Sequence, residues 1–199
     1  MASKTHIANL ALDIIGEAPI TSLTDDAKGA RVMNLLFDTC RDAVLRMHPW
    51  NFASKRAVLA EKAQTPAFGF SRVFALPSDF LRLRRLNDGR EPYELEADGL
   101  LTNASPAHLK YTAQIADTAR YDPLFVQVLA AYLASKGALS ITNSQSIEAR
   151  ATERFYTELA EARGVDGMEN FPEVFIADAL LEAWFTGNEP FRRIADLDQ

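Results

Sequence analysis

The sequence predicts an α+β protein that is mainly helical: an antiparallel four-helix bundle with an inserted small antiparallel β-sheet and an extended C-terminal tail. Apolar residues recur at helical spacing before residue 48 and again from 123 to 163, whereas turn residues divide the chain between them into short segments. Beyond Gly164 the chain is again rich in large apolar side chains, unlike a disordered tail. We expect a bundle from residues 1–48 and 122–164, a β-rich insertion at 49–121 and a docking arm at 165–199.

The first two helices are predicted from their apolar stripes and end signals. The stripes are Ile7, Leu10, Ala11 and Ile14 in the first helix and Met33, Leu36, Phe37, Cys40, Val44 and Met47 in the second. Capping side chains place the start of the second helix at Asp25, and Pro49 places its end at His48. Such a helix is about 36 Å long, and Gly29 is its one weak point.

Two aromatic residues, Trp50 and Phe52, follow directly after the proline that ends the second helix. Large aromatic side chains contribute most to protein cores, so we expect these two to anchor the sheet to the bundle. A role in stacking against a ligand is the alternative.

Strands are predicted near residues 53–59, 72–76, 80–86, 93–97 and 108–112. Asp88-Gly89 suits a hairpin turn between the third and fourth of these, and Asp98-Gly99 suits a second hairpin leading into Leu100-Leu101. A sheet of so few short strands is barely stable alone. It is therefore expected to pack on the second helix through Trp50, Phe70, Phe74 and Phe80.

Asp122-Pro123 begins the third helix, because an aspartate cap followed by a first-turn proline is a common helix start. Its stripe is Phe125, Val128, Leu129, Tyr132 and Leu139, and that of the fourth helix is Ile147, Ala151, Phe155 and Leu159. Small residues make parts of the third helix thin enough for close packing. The fourth helix is expected to end at Gly164. The tail beyond it either folds back on its own subunit or docks on another chain, and its candidate docking residues are Phe175, Ile176, Leu180, Trp184, Phe185 and Phe191.

Composition excludes several classes of protein. We expect no membrane span, because no apolar run approaches the roughly 20 residues that one requires, and the polar start is no signal peptide. We therefore expect a protein made and used in a cytosol. The single cysteine, Cys40, lies on an apolar stripe and is expected to be a buried thiol. A net charge of −6 argues against binding nucleic acid by phosphate neutralisation, although DNA could still slide through a channel.

No catalytic constellation stands out. The three histidines lack the spacing of a metal site, and the glycine patterns of nucleotide-binding loops are missing, so we expect no enzyme activity, metal or cofactor. Four nearby carboxylates could serve a glycosidase, and a solvated strand edge also explains them; they are Glu91, Glu94, Glu96 and Asp98.

A basic run from Phe80 to Leu86 is more informative. Strand alternation would place Leu81 and Leu83 on one face and Arg82 and Arg84 on the other. Together with neighbouring arginines they could be a solvated face, a subunit interface or the wall of a DNA channel. The candidate interface or channel residues are Arg72, Arg82, Arg84, Arg85 and Arg90.

Three segments carry a family resemblance: Ile15-Gly16-Glu17-Ala18-Pro19-Ile20 to Leu23, His48-Pro49-Trp50-Asn51-Phe52-Ala53-Ser54-Lys55-Arg56, and Val73-Phe74-Ala75-Leu76-Pro77-Ser78-Asp79. In order and spacing they resemble the tail tubular protein A family of short-tailed phages. The resemblance covers residues 7–86 best, is weaker over 123–163 and does not extend past Gly164.

The resemblance implies a structural virion protein, a head-to-tail adaptor. It implies a homo-oligomeric ring, a dodecamer, that joins the portal protein to the tail nozzle protein and lets double-stranded DNA pass without sequence-specific binding or membrane contact. Such a protein would assemble in the host cytoplasm and reside in the virion tail. Two alternatives are a phage-associated hydrolase of peptidoglycan or polysaccharide that uses the carboxylates of the β segment, and a helical DNA-binding regulator, which the acidic balance disfavours.

Overall fold

The computed structural model describes residues 2–169 of the 199-residue chain. This part of the protein is α+β, with four helices and two small antiparallel sheets. In chain order the elements are α1 (Lys4–Ile14), α2 (Lys28–Met47), β1 (Ser54–Val58), β2 (Arg72–Phe74), β3 (Phe80–Leu86), β4 (Tyr93–Glu96), β5 (Gly99–Thr102), β6 (His108–Ala113), α3 (Pro123–Thr142) and α4 (Gln145–Met168).

The helix α3 is the shared packing partner of the other three helices. Its apolar residues are buried on nearly every side, which is typical of a central helix, although Leu139 of the predicted stripe is 42% exposed. By length and hydropathy alone α3 could cross a membrane, contrary to the expectation that no run is so long, but 67% of the window is buried within the protein. Small residues let α2 approach, since a Cβ on Gly137 would lie 3.0 Å from the Met33 side chain.

The helix α2 begins at Lys28, three residues later than predicted, and its cap position is Ala27, which makes no side-chain cap bond. The expected capping residue Asp25 is used one turn earlier. Its Oδ2 accepts hydrogen bonds from the backbone N–H groups of Thr21 and Ser22, at 2.7 and 3.0 Å. These bonds hold the pKa of Asp25 below its ordinary value. The aspartate therefore orders the preceding turn rather than the helix.

Two other details of the helices differ from the sequence expectation. Gly29, expected to weaken α2, allows close packing on α1, because a Cβ there would lie 3.0 Å from Leu12 Cδ2. The helix α4 continues past Gly164 to Met168, so the first residues assigned to the tail are helical. The predicted caps of α3 are present, with Asp122 Oδ1 accepting from the backbone N–H of Leu124 at 2.8 Å.

The strands form two sheets instead of the single sheet that was predicted. The first has the order β1-β6-β3 and the second has the order β2-β5-β4, and all neighbours are antiparallel. The hairpin predicted at Asp98-Gly99 is confirmed, with Glu96 opposite Gly99. The hairpin predicted at Asp88-Gly89 is wrong, because β3 pairs with β6 and not with β4.

The long-range pairing of β3 with β6 is explained by burial. Leu86 stands opposite Leu109, and each is only 1% exposed, so this register closes an apolar core that a β3–β4 hairpin would leave open. In the second sheet, Gly99 allows β5 to approach β2 closely. A Cβ at this position would lie 2.2 Å from the carbonyl oxygen of Phe74, so only glycine lets the two strands meet.

Candidate interaction surface

The junction between α2 and β1 is a buried aromatic cluster. Trp50 is 1% exposed, and its indole N–H donates to the carbonyl oxygen of Val44 at 3.0 Å. Its ring meets Phe125 of α3 edge to face with centroids 5.1 Å apart, and Phe52 meets the same ring at 4.9 Å. Both predicted anchors thus contact the central helix.

Of the other residues expected to fasten the sheet, Phe74 is 2% exposed and belongs to the second sheet, whereas Phe70 is only half-buried. Phe80, also half-buried, lies 5.9 Å from the Tyr111 ring within the first sheet.

Guanidinium groups cover the C-terminal end of α2, where backbone carbonyls lack helical partners. Arg82 of β3 donates to the carbonyl of Arg46 at 2.7 Å, and Arg163 of α4 donates to the carbonyl of Met47 at 3.0 Å. Arg46 in turn donates to the carbonyl of Leu81 at 2.5 Å. Positive charge at this end of a helix opposes the negative end of its dipole. Arg82 therefore has a hydrogen-bond partner within its own chain.

The simple alternation predicted for β3 is wrong. Register shifts lie between Phe80 and Arg82 and between Leu83 and Arg85, so that Leu81 and Arg84 are the extra residues at two irregularities of the β-bulge kind. After the bulge at Arg84, Arg85 pairs with Lys110 just as Arg82 pairs with Thr112, which puts Arg82 and Arg85 on one face. The face predicted for Arg82 and Arg84 thus belongs to Arg82 and Arg85.

Three further basic residues join that face and were missed by the sequence reasoning. Arg56 of β1 pairs with Lys110 of β6, and His108 lies two residues before Lys110 on the same side. With Arg85 they line a pocket of about 240 Å³ whose apolar members include Val58. Alternation along β1 and β6 could have grouped the new residues, but only the pairing of β6 with both neighbours brings them beside β3.

The other two candidate arginines lie elsewhere. Arg72 belongs to the second sheet and forms an ion pair of 2.6 Å with Glu61, while Arg90 follows the turn after β3. The five arginines proposed from the sequence therefore do not form one stripe. The six candidate docking residues Phe175, Ile176, Leu180, Trp184, Phe185 and Phe191 lie outside the described residues.

The four candidate carboxylates line neither the basic pocket on the first sheet nor a second pocket near α1 and α4. Glu94 and Glu96 share one side of β4, where every residue is exposed, and Asp98 is in the turn that follows. The second pocket, of about 550 Å³, lies between the end of α1 and α4 and is lined by other residues, among them Asp13, Arg150 and Glu153. Among residues 2–169 no group of three metal-ligating side chains is found.

One polar cluster ties the end of α4 to the junction after α2. Asp166, 9% exposed, accepts from the ring of His48 at 2.9 Å through Oδ2 and from the backbone N–H of Asn51 at 3.0 Å through Oδ1. Burial lowers the pKa of His48, and Arg163 and Arg84 lower it further, although Asp166 acts in the opposite direction. The neutral imidazole is thus favoured, and it donates its Nε2–H to the carboxylate.

Cys40 is buried as predicted, with 3% of its surface exposed. Burial raises the pKa of its thiol to about 11, so the thiolate is scarce at neutral pH. Comparison with known proteins adds no assignment: a scan against family models finds no match, and a search of curated proteins finds no significant one.

Proposed function

We propose that this protein is a head-to-tail adaptor of a short-tailed phage, one subunit of a ring that joins the portal to the tail nozzle and encloses a path for DNA. The observation that carries the proposal is the order and spacing of the three segments that resemble the tail tubular protein A family. On this proposal the four helices act as an antiparallel bundle around α3, the body of each subunit, and the role is structural rather than enzymatic.

The three segments that carry the resemblance each make structural contacts in this chain. In the first segment, Ile20 is buried and its backbone exchanges two hydrogen bonds with the Asn9 side chain, at 2.8 and 2.9 Å. The second contains Trp50, fixed between α2 and α3. In the third, Asp79 accepts from Lys55 at 2.6 Å and from the Tyr111 hydroxyl at 3.0 Å. The first segment fastens a turn to the helix before it, and the other two join elements that are distant in sequence.

The docking arm is the part of the proposal that can be tested first. Truncation after Glu169 keeps Asp166 and its bonds to His48 and Asn51, unlike truncation after Gly164. We expect the variant to remain folded, with the helical signal of residues 2–169 retained in circular dichroism, and to fail to form rings on its cognate portal. Native mass spectrometry of portal mixed with full-length or truncated protein measures this.

The same mixture distinguishes the hydrolase alternative. Full-length protein that stays monomeric with the portal and releases fragments from peptidoglycan would contradict the adaptor role. The Glu94→Gln/Glu96→Gln variant is the matched control for the hydrolysis measurement. It should fold normally, because these carboxylates are exposed, but it should release no fragments if they carry out hydrolysis.

A further inference from the structure

The outer edge of β1 is open among the described residues. Leu59 donates its backbone N–H to Ala107 of the neighbouring chain segment at 2.9 Å, which sets the alternation along β1. The N–H and C=O groups of Arg56 and Val58 therefore point away from β6, the one strand of the first sheet that β1 pairs with, whereas the N–H of Ser54 donates to the carbonyl oxygen of Asn51. Val58 is 65% exposed, and Arg56 is exposed as well.

The outer edge of β4 in the second sheet is open in the same sense. The backbone N–H of Lys62 donates to the carbonyl of Val73 at 2.8 Å, so the backbone groups of Val73 point away from β5 and those of the residues on either side of it point toward β5. The same alternation, continued across β5, gives the direction of each backbone group of β4. The backbone groups of Glu94 and Glu96 point to β5, and those of Tyr93 and Leu95 point outward. The latter two side chains are 42% and 45% exposed.

The two edges carry opposite charge. Tyr93-Glu94-Leu95-Glu96 of β4 is acidic and is followed by Asp98, whereas β1 contains Lys55 and Arg56. Pairing of two β4 edges, or of two β1 edges, would bring like charges together, which is destabilising between strands. Pairing of β4 with β1 brings opposite charges together, so charge favours the mixed pairing.

Backbone directions limit the possible registers, and side-chain pairing favours one of them. In an antiparallel pair, outward-pointing residues face each other. Of the registers that this allows, the one with Leu95 opposite Arg56 also places Tyr93 opposite the apolar side chain of Val58. The same register puts Glu96 opposite Lys55, whose Nζ already bonds Asp79 at 2.6 Å and whose side chain is 40% exposed. An apolar pair and an ion pair therefore form together on the two faces of the new ladder.

We infer that copies of this chain join by strand addition, the β4 edge of one copy pairing with the β1 edge of the next. Exposed edges of this kind are templates for another chain. A contact between two different surfaces is head-to-tail, and it closes into a ring when the rotation per subunit allows. The inference rests on the proposed adaptor role for the ring itself and adds which strands meet in it.

Disulfide trapping tests the register. Glu96 and Lys55 would form a non-hydrogen-bonded pair, whose Cα separation of about 4.5 Å suits a disulfide. A Lys55→Cys chain mixed with a Glu96→Cys chain of different mass should yield a crosslinked heterodimer under oxidation. The same Lys55→Cys chain with Glu94→Cys, two residues out of register, should yield about tenfold less. Equal or absent crosslinking in both mixtures would overturn the inference.

Charge reversal tests the driving force. Glu94→Lys/Glu96→Lys should weaken self-association about tenfold or more in sedimentation at low salt. Glu153→Lys/Glu161→Lys on the exposed side of α4 makes the same change in net charge and should leave association unchanged. Equal weakening by both pairs would overturn strand addition. Rings that form on the portal with Glu94→Lys/Glu96→Lys at normal yield would do so too, yet would leave the adaptor role intact.

Discussion

Trp50 joins three parts of the protein at the scale of a single residue. Its indole satisfies a carbonyl of α2, its ring packs on Phe125 of α3, and it begins the turn into β1. We expect Trp50→Ala to lower the free energy of unfolding by about 3–5 kcal/mol, because a large buried side chain is lost and a cavity is left.

Urea denaturation of the Trp50→Ala and Trp50→Phe variants measures this effect, and Trp50→Phe, which keeps an aromatic ring, should lose less. An unchanged midpoint for Trp50→Ala, together with loss of the proposed binding to a portal, would instead support a role in recognition.

His48 gives the protein a dependence on pH that can be assigned to one residue. Its pKa is lowered in the folded state, chiefly by burial, so below its ordinary value of 6.5 the unfolded chain binds the proton more readily. The contribution of neutral His48 to the free energy of unfolding is thus fully present above pH 6.5, and it is lost as the pH decreases toward the folded-state pKa. The lowered pKa values of Asp25, Asp38 and Asp79 act in a separate window, below their ordinary value of 3.8.

Urea midpoints between pH 5 and 7.5 should fall on acidification in the wild type and less so in His48→Gln. His6 and His108 are exposed and present in both proteins, so they serve as an internal control. Identical slopes would show that the fall has another origin.

The C-terminus of α2 shows how an element depends on others distant in the chain. Its last carbonyls receive bonds from Trp50, from Arg82 of β3 and from Arg163 of α4. We expect Arg82→Gln to lower the free energy of unfolding by about 1 kcal/mol, because Arg82 is exposed and a single bond to a helix end is modest.

Arg56→Gln, at an exposed position that caps no helix, is the matched control and should be near neutral. Thermal unfolding of the two variants makes the comparison. A fully neutral Arg82→Gln that still disturbs ring formation would restore a purely intermolecular role for this arginine.

For the whole molecule, the sequence by itself determined the identity and approximate position of the helices and strands. Local signals were enough for this: Asp122 and Pro123 at a helix start, Pro49 at a helix end, the turn at Asp98-Gly99, and the apolar position of Cys40. Such signals act over a few residues, so they can be read from a single chain.

Only the tertiary structure decided which strands pair, where α4 ends and which arginines lie together. The choice of β6 as partner for β3 depends on closing the core between Leu86 and Leu109, and the bulge at Arg84 lies within that pairing. Likewise α4 passes Gly164 because Asp166 finds partners in His48 and Asn51, more than a hundred residues earlier. These partners are distant in sequence. Periodicity along the chain indicates on which face of a helix or strand a residue lies, but it does not indicate which distant residue that face contacts.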